Sequence, residues 1–269
     1  MLRHLNIEYK KAKNHPTFWI LLVIHTIAIF SIVLIGNQFI NTIFNFTRKI
    51  ADVGIKTIPI YSFPDIWHNL AYVASCMKFI LSIYVIISIS NEFSFNTLRQ
   101  NIIDGYSRWD FLKSKISLIV VIGIISTLFL FLLGVILGIV NTEVLNAENF
   151  FMYIQFLLGY FLEIVIFMLF TVLVALLIKR AGLVMAVLFV YSVIVEPIIS
   201  LFLRYYDYDL ITNYFPVTSI NNIVNNPFSK YFLRETKEFV SIVDVLVAGA
   251  YGALFIYLSY LLLKKRDIK

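Results

Sequence analysis

Six apolar runs, each close to or above the roughly 20 helical residues that cross a bilayer, dominate this sequence. Only helices or closed barrels satisfy their backbone hydrogen bonds inside lipid, and continuous apolar runs of this length favour helices. We therefore predict an all-α integral membrane protein in which residues 1–269 form a single transmembrane domain. The predicted spans are residues 18–36, 70–90, 116–140, 151–178, 182–202 and 243–263.

The composition excludes a soluble domain. Hydrophobic residues make up 60% of the chain and charged residues 14%, whereas soluble domains have about a quarter of their residues charged. The net charge of +6 does not predict a nucleic-acid partner, because the lysines and arginines lie between apolar runs rather than on one soluble face. The single cysteine, Cys76, excludes an intramolecular disulfide and any CxxC site.

The distribution of lysine and arginine predicts the orientation of the spans. Six spans place both termini on one side of the membrane. That side has the N-terminus, residues 91–115, Lys179 with Arg180, and the C-terminal tail, which together hold 14 of the 22 lysines and arginines; the opposite side holds 7, and Lys78 lies within a span. By the positive-inside rule, both termini and residues 91–115 are predicted to be cytoplasmic.

Two further segments are predicted to lie at the membrane surface. Leu2, Leu5, Tyr9 and Ala12 share one helical face, which favours an N-terminal interfacial helix. The long loop between the fifth and sixth spans is rich in tyrosine and phenylalanine and contains two prolines. This composition favours short external helices that dip into the outer leaflet.

Residues 91–115, NEFSFNTLRQNIIDGYSRWDFLKSK, are the longest polar interruption on the predicted cytoplasmic side. Phe95, Leu98 and Ile102 recur at helical spacing, so we predict a helix with one apolar face. The alternative is a helix that only contacts lipid headgroups.

The boundaries of this helix are marked as well. Gly105 predicts its end, because glycine accepts the left-handed conformation that closes a last turn. Ser107, followed by Asp110 three residues later, predicts the N-cap of the next helix, which continues into the third span.

Three ionisable residues lie within the predicted spans, namely Lys78, Glu163 and Glu196. An unpaired charge at such a depth costs at least about 2.5–3.5 kcal/mol. One interpretation is a pair between Lys78 and either glutamate that fixes helix packing. The other is that the three residues line a polar translocation path or relay protons.

Small residues and a proline predict local features of the spans. Pro197 predicts a kink in the fifth span, because it removes a backbone hydrogen bond. Gly134 with Gly138, and Ala248 with Gly252, have the four-residue spacing that allows close packing of helices.

The polar stretch resembles the permease subunits of ABC-2 type ABC transporters. The similarity consists of a glutamate, a Thr-Leu-Arg triplet, a glycine turn followed by Ser-Arg, and two lysines before a span: Glu92, Thr97, Leu98, Arg99, Gly105, Ser107, Arg108, Lys113 and Lys115. The predicted layout is similar to that family too, with an interfacial helix, six spans and a large cytoplasmic loop between spans two and three.

The resemblance implies that this loop carries a coupling helix, which sits in a cleft of a separate ATP-binding subunit. The expected apolar anchors are Phe93, Phe95, Leu98 and Ile102. The expected polar contacts around them come from Glu92, Arg99 and Arg108. The turn formed by Lys179, Arg180 and Ala181 would give a smaller contact.

The same resemblance implies the partners and the location. ATP and Mg are expected on the partner ATPase and no cofactor in this chain. A second permease copy or a homologue and membrane lipids are the other expected partners, in the inner membrane of a bacterium, with export the commoner direction.

Two other functions stay open at this point. The chain could be a self-contained ion-coupled carrier or channel that uses its intramembrane charges, or a non-transporting membrane protein such as a toxin immunity factor. An enzyme is not predicted, because the sequence contains no GxxxxGK[ST], GxGxxG, HExxH or GxSxG motif.

Overall fold

The computed structural model describes residues 8, 10–51, 60–228 and 239–265. Within these ranges every regular element is helical, which confirms the predicted all-α class. Residues 10–14 are helical, and the helices that follow are α1 (Pro16–Ala51), α2 (Ile66–Ser75), α3 (Lys78–Ser94), α4 (Thr97–Ile103), α5 (Arg108–Asn141), α6 (Ala147–Phe151), α7 (Gln155–Ile178), α8 (Ala181–Val190), α9 (Glu196–Tyr205), α10 (Asp209–Thr212), α11 (Pro216–Asn221) and α12 (Ile242–Lys265).

The described helices include the candidate membrane spans. Five stretches are long and apolar enough to cross a bilayer, and the α2–α3 pair, bent by 42°, is a sixth candidate. The five are Pro16–Gly36, Arg108–Asn141, Ala147–Ile178, Ala181–Tyr205 and Ile242–Lys265.

The first candidate span, Pro16–Gly36, ends at the residue predicted for it, and helix α1 itself continues to Ala51. One feature differs from the sequence prediction. The predicted span 70–90 is interrupted at Cys76 and Met77. Neither proline nor glycine marks this bend, so it accompanies tertiary packing rather than a local helix breaker. Of the predicted interfacial helix, Leu2, Leu5 and Tyr9 lie outside the described residues, whereas Ala12 is buried.

Just before Pro197, where a kink is predicted, a π-helical turn, Tyr191–Val195, joins α8 to α9. The proline ring would clash with the carbonyl of Val193, four residues earlier, and it has no N–H to donate. A widened turn just before the proline accommodates both effects.

Contacts between distant segments define two opposite ends of the bundle in the described ranges. The terminal end comprises residues 10–14, 91–110, 179–180 and 264–265. There the Lys11 ammonium lies 2.6 Å from the Glu92 carboxylate, and the Arg108 guanidinium donates to the Lys264 carbonyl oxygen at 2.8 Å. Segments predicted to be cytoplasmic therefore lie together.

The loop end, opposite, comprises residues 60–68, 142–153 and 206–228. Phe63 N donates to the Thr142 hydroxyl at 3.0 Å, Trp67 Nε1 to the Phe150 carbonyl at 2.7 Å, and His68 Nε2 to the Asn225 carbonyl at 2.8 Å. Short helices α10 and α11 lie in this end, as predicted for the segment between the last two spans.

Helix α7 is the centre of the bundle. Of the most apolar stretch of its candidate span, Ala147–Ile178, 61% is buried inside the protein, compared with 22% for the corresponding stretch of the α1 span Pro16–Gly36. It packs against α2, α3, α5, α8 and α12. A helix that is apolar on every side is expected in such a position, because no face of it requires water.

Glycines on α5 and α12 provide close contacts. A Cβ at Gly134 would lie 2.5 Å from the Trp67 ring, and one at Gly138 would overlap the ring of Phe63. Ala248 is fully buried, and Gly252 lies against Ile166 of α7. Both small-residue pairs therefore serve packing within this chain, and the α5 pair accommodates aromatic rings rather than another helix backbone.

We expect Gly138→Ala to destabilise the protein by about 1–3 kcal/mol, because the added methyl group forces the buried Phe63 ring to move. The matched control is Gly249→Ala in α12, where a Cβ would meet no atom within 4 Å; it should leave stability unchanged or raise it by up to about 1 kcal/mol. Thermal unfolding of the detergent-solubilised variants measures both effects, and equal midpoints would contradict this packing.

Candidate functional site

Helix α4 lies at the terminal end, and its C-terminus is closed by a Schellman motif. Tyr106 N donates to the Asn101 carbonyl at 2.9 Å, and Gly105 N donates to the Ile102 carbonyl at 3.1 Å. Gly105 has φ +88°, in the left-handed region that favours glycine. The predicted helix end at Gly105 is confirmed.

The start of α5 also agrees with prediction. Asp110 N donates to the Ser107 hydroxyl oxygen at 3.0 Å, and that hydroxyl donates to the Asp110 carboxylate at 2.6 Å. Ser107 therefore caps α5, and its side chain satisfies an N–H group that the helix leaves unpaired.

The start of α4 corrects the prediction of one helix through Phe95, Leu98 and Ile102. Helix α3 continues to Ser94, and Asn96 adopts the left-handed conformation with φ 54°. Asparagine tolerates this conformation better than most residues. Phe95 therefore belongs to the turn that separates α3 from α4, and only Leu98 and Ile102 share a helical face.

The predicted apolar anchors divide between the interior and the surface. Leu98 is buried in the core, and Phe93 and Ile102 are half-buried against it. Phe95 is 72% exposed, and Ile103, which the sequence analysis did not select, is 74% exposed. Two large apolar side chains therefore face outward, one in the turn before α4 and one at its last residue. The opposite face of α4, which includes Leu98, packs against the bundle.

A buried ionic cluster, formed by Glu8, Lys11, Glu92 and Lys115, lies beneath α4. The Lys115 ammonium contacts the Glu8 carboxylate at 3.0 Å and the Glu92 carboxylate at 3.3 Å. It also donates to the Ser88 hydroxyl at 2.8 Å. Lys11 contacts Glu92 at 2.6 Å. The cluster joins the N-terminal segment, α3 and α5.

The cluster is electrically balanced, with two ammonium groups facing two carboxylates. Lys115 and Glu8 are buried, so removal of one partner would leave an uncompensated charge inside the protein. Burial alone lowers the pKa of Lys11, but the charge of Glu8 and the hydrogen bond to Glu92 outweigh burial and hold that pKa above its ordinary value. Lys11 therefore stays positively charged at neutral pH.

Of the predicted polar contacts, Arg99 is exposed on α4, whereas Glu92 lies inside the ionic cluster and accepts a hydrogen bond from the Thr97 hydroxyl at 3.0 Å. Arg108 donates to the C-terminal end of α12, an end that attracts positive charge. The turn predicted as a smaller contact adjoins α3, since the Lys179 ammonium lies 5.2 Å from the centre of the Phe93 ring.

The intramembrane charges are arranged in two separate groups. Lys78 lies 2.7 Å from Glu163 on α7, and both side chains are buried, so the predicted interhelical pair is present. Lys78 also donates to the Asn221 side chain at the end of α11. This interaction links the bend between α2 and α3 to the central helix and to the loop end.

Glu196 does not join that pair. Its carboxylate accepts from Val217 N at 3.1 Å and from the backbone N–H and the hydroxyl of Thr218. These N–H groups belong to the first turn of α11, where no intrahelical acceptor exists. Glu196 thus caps α11 from the α8–α9 span and fixes this part of the loop end to that span.

Sequence reasoning missed a buried polar triad across three spans. His25 Nε2 lies 2.9 Å from the Ser126 hydroxyl, which lies 2.6 Å from the Tyr160 hydroxyl. All three residues are buried. A histidine and a serine inside apolar runs are the signal that could have indicated such a contact, although the sequence alone does not identify the partners.

Comparison with known proteins agrees with this architecture. The family described as ABC-2 family transporter protein matches residues 7–268. No curated protein matches the chain significantly. The family match covers nearly the whole chain, from the N-terminal segment to the last described helix and beyond. This chain is therefore a membrane permease that belongs to the ABC-2 family of transporter proteins.

Proposed function

We propose that this permease is the membrane-spanning subunit of an ATP-driven exporter and that a separate ATP-binding subunit binds it at α4. The observation that carries the proposal is the exposure of Phe95 and Ile103 beside α4, with the exposed Arg99 between them in sequence. Apolar anchors bordered by an arginine are typical of the residues that dominate protein interfaces.

The attachment of α4 to the bundle supports a mechanical role. Leu98 packs into the core, and Thr97 bonds to Glu92 at the end of α3. Glu92 in turn contacts Lys115 at the start of α5. A displacement of α4 by the ATP-binding subunit would therefore move the terminal ends of α3 and α5 together. Such a movement would link ATP binding and hydrolysis, with ATP and Mg held by the partner, to rearrangement of the spans.

The membrane-facing helices leave room for a second permease. Large apolar side chains of α1 and of the α8–α9 span are exposed, among them Trp19, Ile20, Phe189 and Leu201. A second copy or a homologue would cover part of this surface, and membrane lipids the rest.

The proposed orientation places the terminal end in the cytoplasm. The excess of lysine and arginine in its segments favours that side, in the inner membrane of a bacterium. An ATP-binding subunit needs cytoplasmic ATP, so the same orientation places α4 where that partner can reach it.

Phe95→Asp and Ile103→Asp should each weaken binding of the ATP-binding subunit by about 2 kcal/mol or more, roughly 30-fold in Kd, because each places a charge in a desolvated contact. Co-purification and a titration of the partner ATPase onto the purified permease measure this change. The stimulated ATPase activity should fall in parallel.

Val144→Asp is the matched control, since Val144 is also an exposed apolar residue but lies at the loop end. It should bind the ATPase like the wild type. Leu98→Ala should instead lower the free energy of unfolding by about 2–5 kcal/mol, because Leu98 is buried. Unchanged affinity in both Asp variants at positions 95 and 103 would refute the assignment of α4.

Variants of the Lys78–Glu163 pair separate a packing role from a transport path. Lys78→Met should destabilise the protein by about 3–5 kcal/mol, because it leaves Glu163 buried without its cation. The double variant Lys78→Met with Glu163→Gln removes both charges and should recover most of the stability. Thermal unfolding measures these differences.

Under the proposed function, the double variant also keeps its ATPase coupling in proteoliposomes that contain the partner. A carrier that relays protons through this pair predicts the opposite result, namely a folded double variant without coupled activity. ATP hydrolysis assayed beside thermal stability distinguishes the two outcomes.

A further inference from the structure

A cleft of about 430 Å³ opens at the terminal end between the N-terminal segment, α3 and α4. Its walls include Lys11 and His15 from the first segment, Ile87 and Asn91 from α3, and Asn101 from α4. The cleft thus lies beside the proposed coupling helix, and the Phe95 side chain also lines it, whereas Ile103 does not.

The polarity of the cleft changes with depth along α3. Asn91 lies near the terminal end, and Ser88, Ile87 and Tyr84 follow toward the middle of the span. At 1.5 Å per helical residue, Tyr84 lies about 10 Å deeper than Asn91. The mouth is therefore polar, whereas the floor is formed by the aliphatic side chain of Ile87 and the aromatic ring of Tyr84.

The charged group that this cleft exposes most is the Lys11 ammonium. Its charged lining residues are Lys11 and Glu92. The Glu92 side chain is only 5% exposed and is surrounded by Lys11, Lys115 and Thr97, whereas the Lys11 side chain is 44% exposed. A ligand in the cleft would meet the ammonium group of Lys11 rather than the carboxylate.

Polar side chains surround the mouth of the cleft. A phosphate oxygen could accept from Lys11, and the carboxamides of Asn91 and Asn101 could donate to the same group.

We propose that the cleft binds one anionic phospholipid, with its phosphate beside Lys11, Asn91 and Asn101 and the start of an acyl chain against Ile87 and Tyr84. A phospholipid matches both the positive polar mouth and the apolar floor. A polar side chain from a soluble partner matches only the mouth. The bound lipid would contact Thr97 and Asn101 of α4 and one side of Phe95, and Ile103 would stay free for the ATP-binding subunit.

The test uses the full-length permease without any ATPase, so its result is independent of the proposed function. The protein is reconstituted in nanodiscs that contain equal amounts of phosphatidylglycerol and phosphatidylcholine, released into mild detergent and weighed by native mass spectrometry. We expect the wild type to retain one phosphatidylglycerol in preference to phosphatidylcholine. Lys11→Gln should lower that retention about fivefold, which corresponds to roughly 1 kcal/mol for one cation beside an anionic lipid.

Two variants serve as controls. Lys10→Gln removes the same charge from an exposed neighbour that does not line the cleft and should retain lipid like the wild type. Ile87→Trp fills the floor without touching the ionic cluster and should also lose the lipid. It therefore tests the site even if Lys11→Gln unfolds.

Three results would overturn the proposal. The first is equal retention of the two lipids by the wild type. The second is wild-type retention in Ile87→Trp, which would place the bound lipid elsewhere. The third is displacement of the lipid by inorganic phosphate alone, which would identify the ligand as a free anion.

Discussion

A charge inside a membrane-spanning bundle must be compensated, and this constraint fixes the structure at two depths. At the terminal end Lys115 lies between Glu8 and Glu92. Deeper in the bundle Lys78 contacts Glu163. Each group joins segments that are distant in sequence, so compensation of charge also determines which helices are neighbours. The apolar runs place the helices in the membrane, but lipid and protein are similarly apolar, and polar contacts therefore contribute much of the specificity of packing.

The sequence predicted those features that depend on local chemistry. Apolar length predicted the spans, a serine followed by an aspartate predicted the cap at Ser107, and glycine predicted the left-handed stop at Gly105. The pairing of Lys78 with a glutamate was also predictable, because few ions of opposite charge lie within the spans. The sequence could not predict that the partner of Lys78 is Glu163 rather than Glu196. Both glutamates lie within predicted spans, and only three-dimensional packing distinguishes them.

The remaining features depend on contacts that no local pattern contains. Leu98 and Phe95 are equally apolar in sequence, yet the left-handed turn at Asn96 directs one inward and leaves the other exposed. Glu8 and Lys11 had no visible role because their partners lie more than 80 residues away. The bend before Lys78 lacks a proline or glycine and accompanies an interaction with a different helix.

Hydrogen bonds join the loop end to α3, the helix that also reaches the ionic cluster at the terminal end. Glu196 caps α11 at its N-terminus, and Asn221 at the other end of α11 accepts a hydrogen bond from Lys78. Helix α11 is thus held between the fifth span and the start of α3. The opposite end of α3 carries Glu92 and the ionic cluster beneath α4. A rigid-body movement of α3 would therefore change contacts at both ends. A movement confined to the loop end would instead have to break the hydrogen bonds of Lys78 or Glu196, and both side chains are buried, so water does not replace those bonds readily.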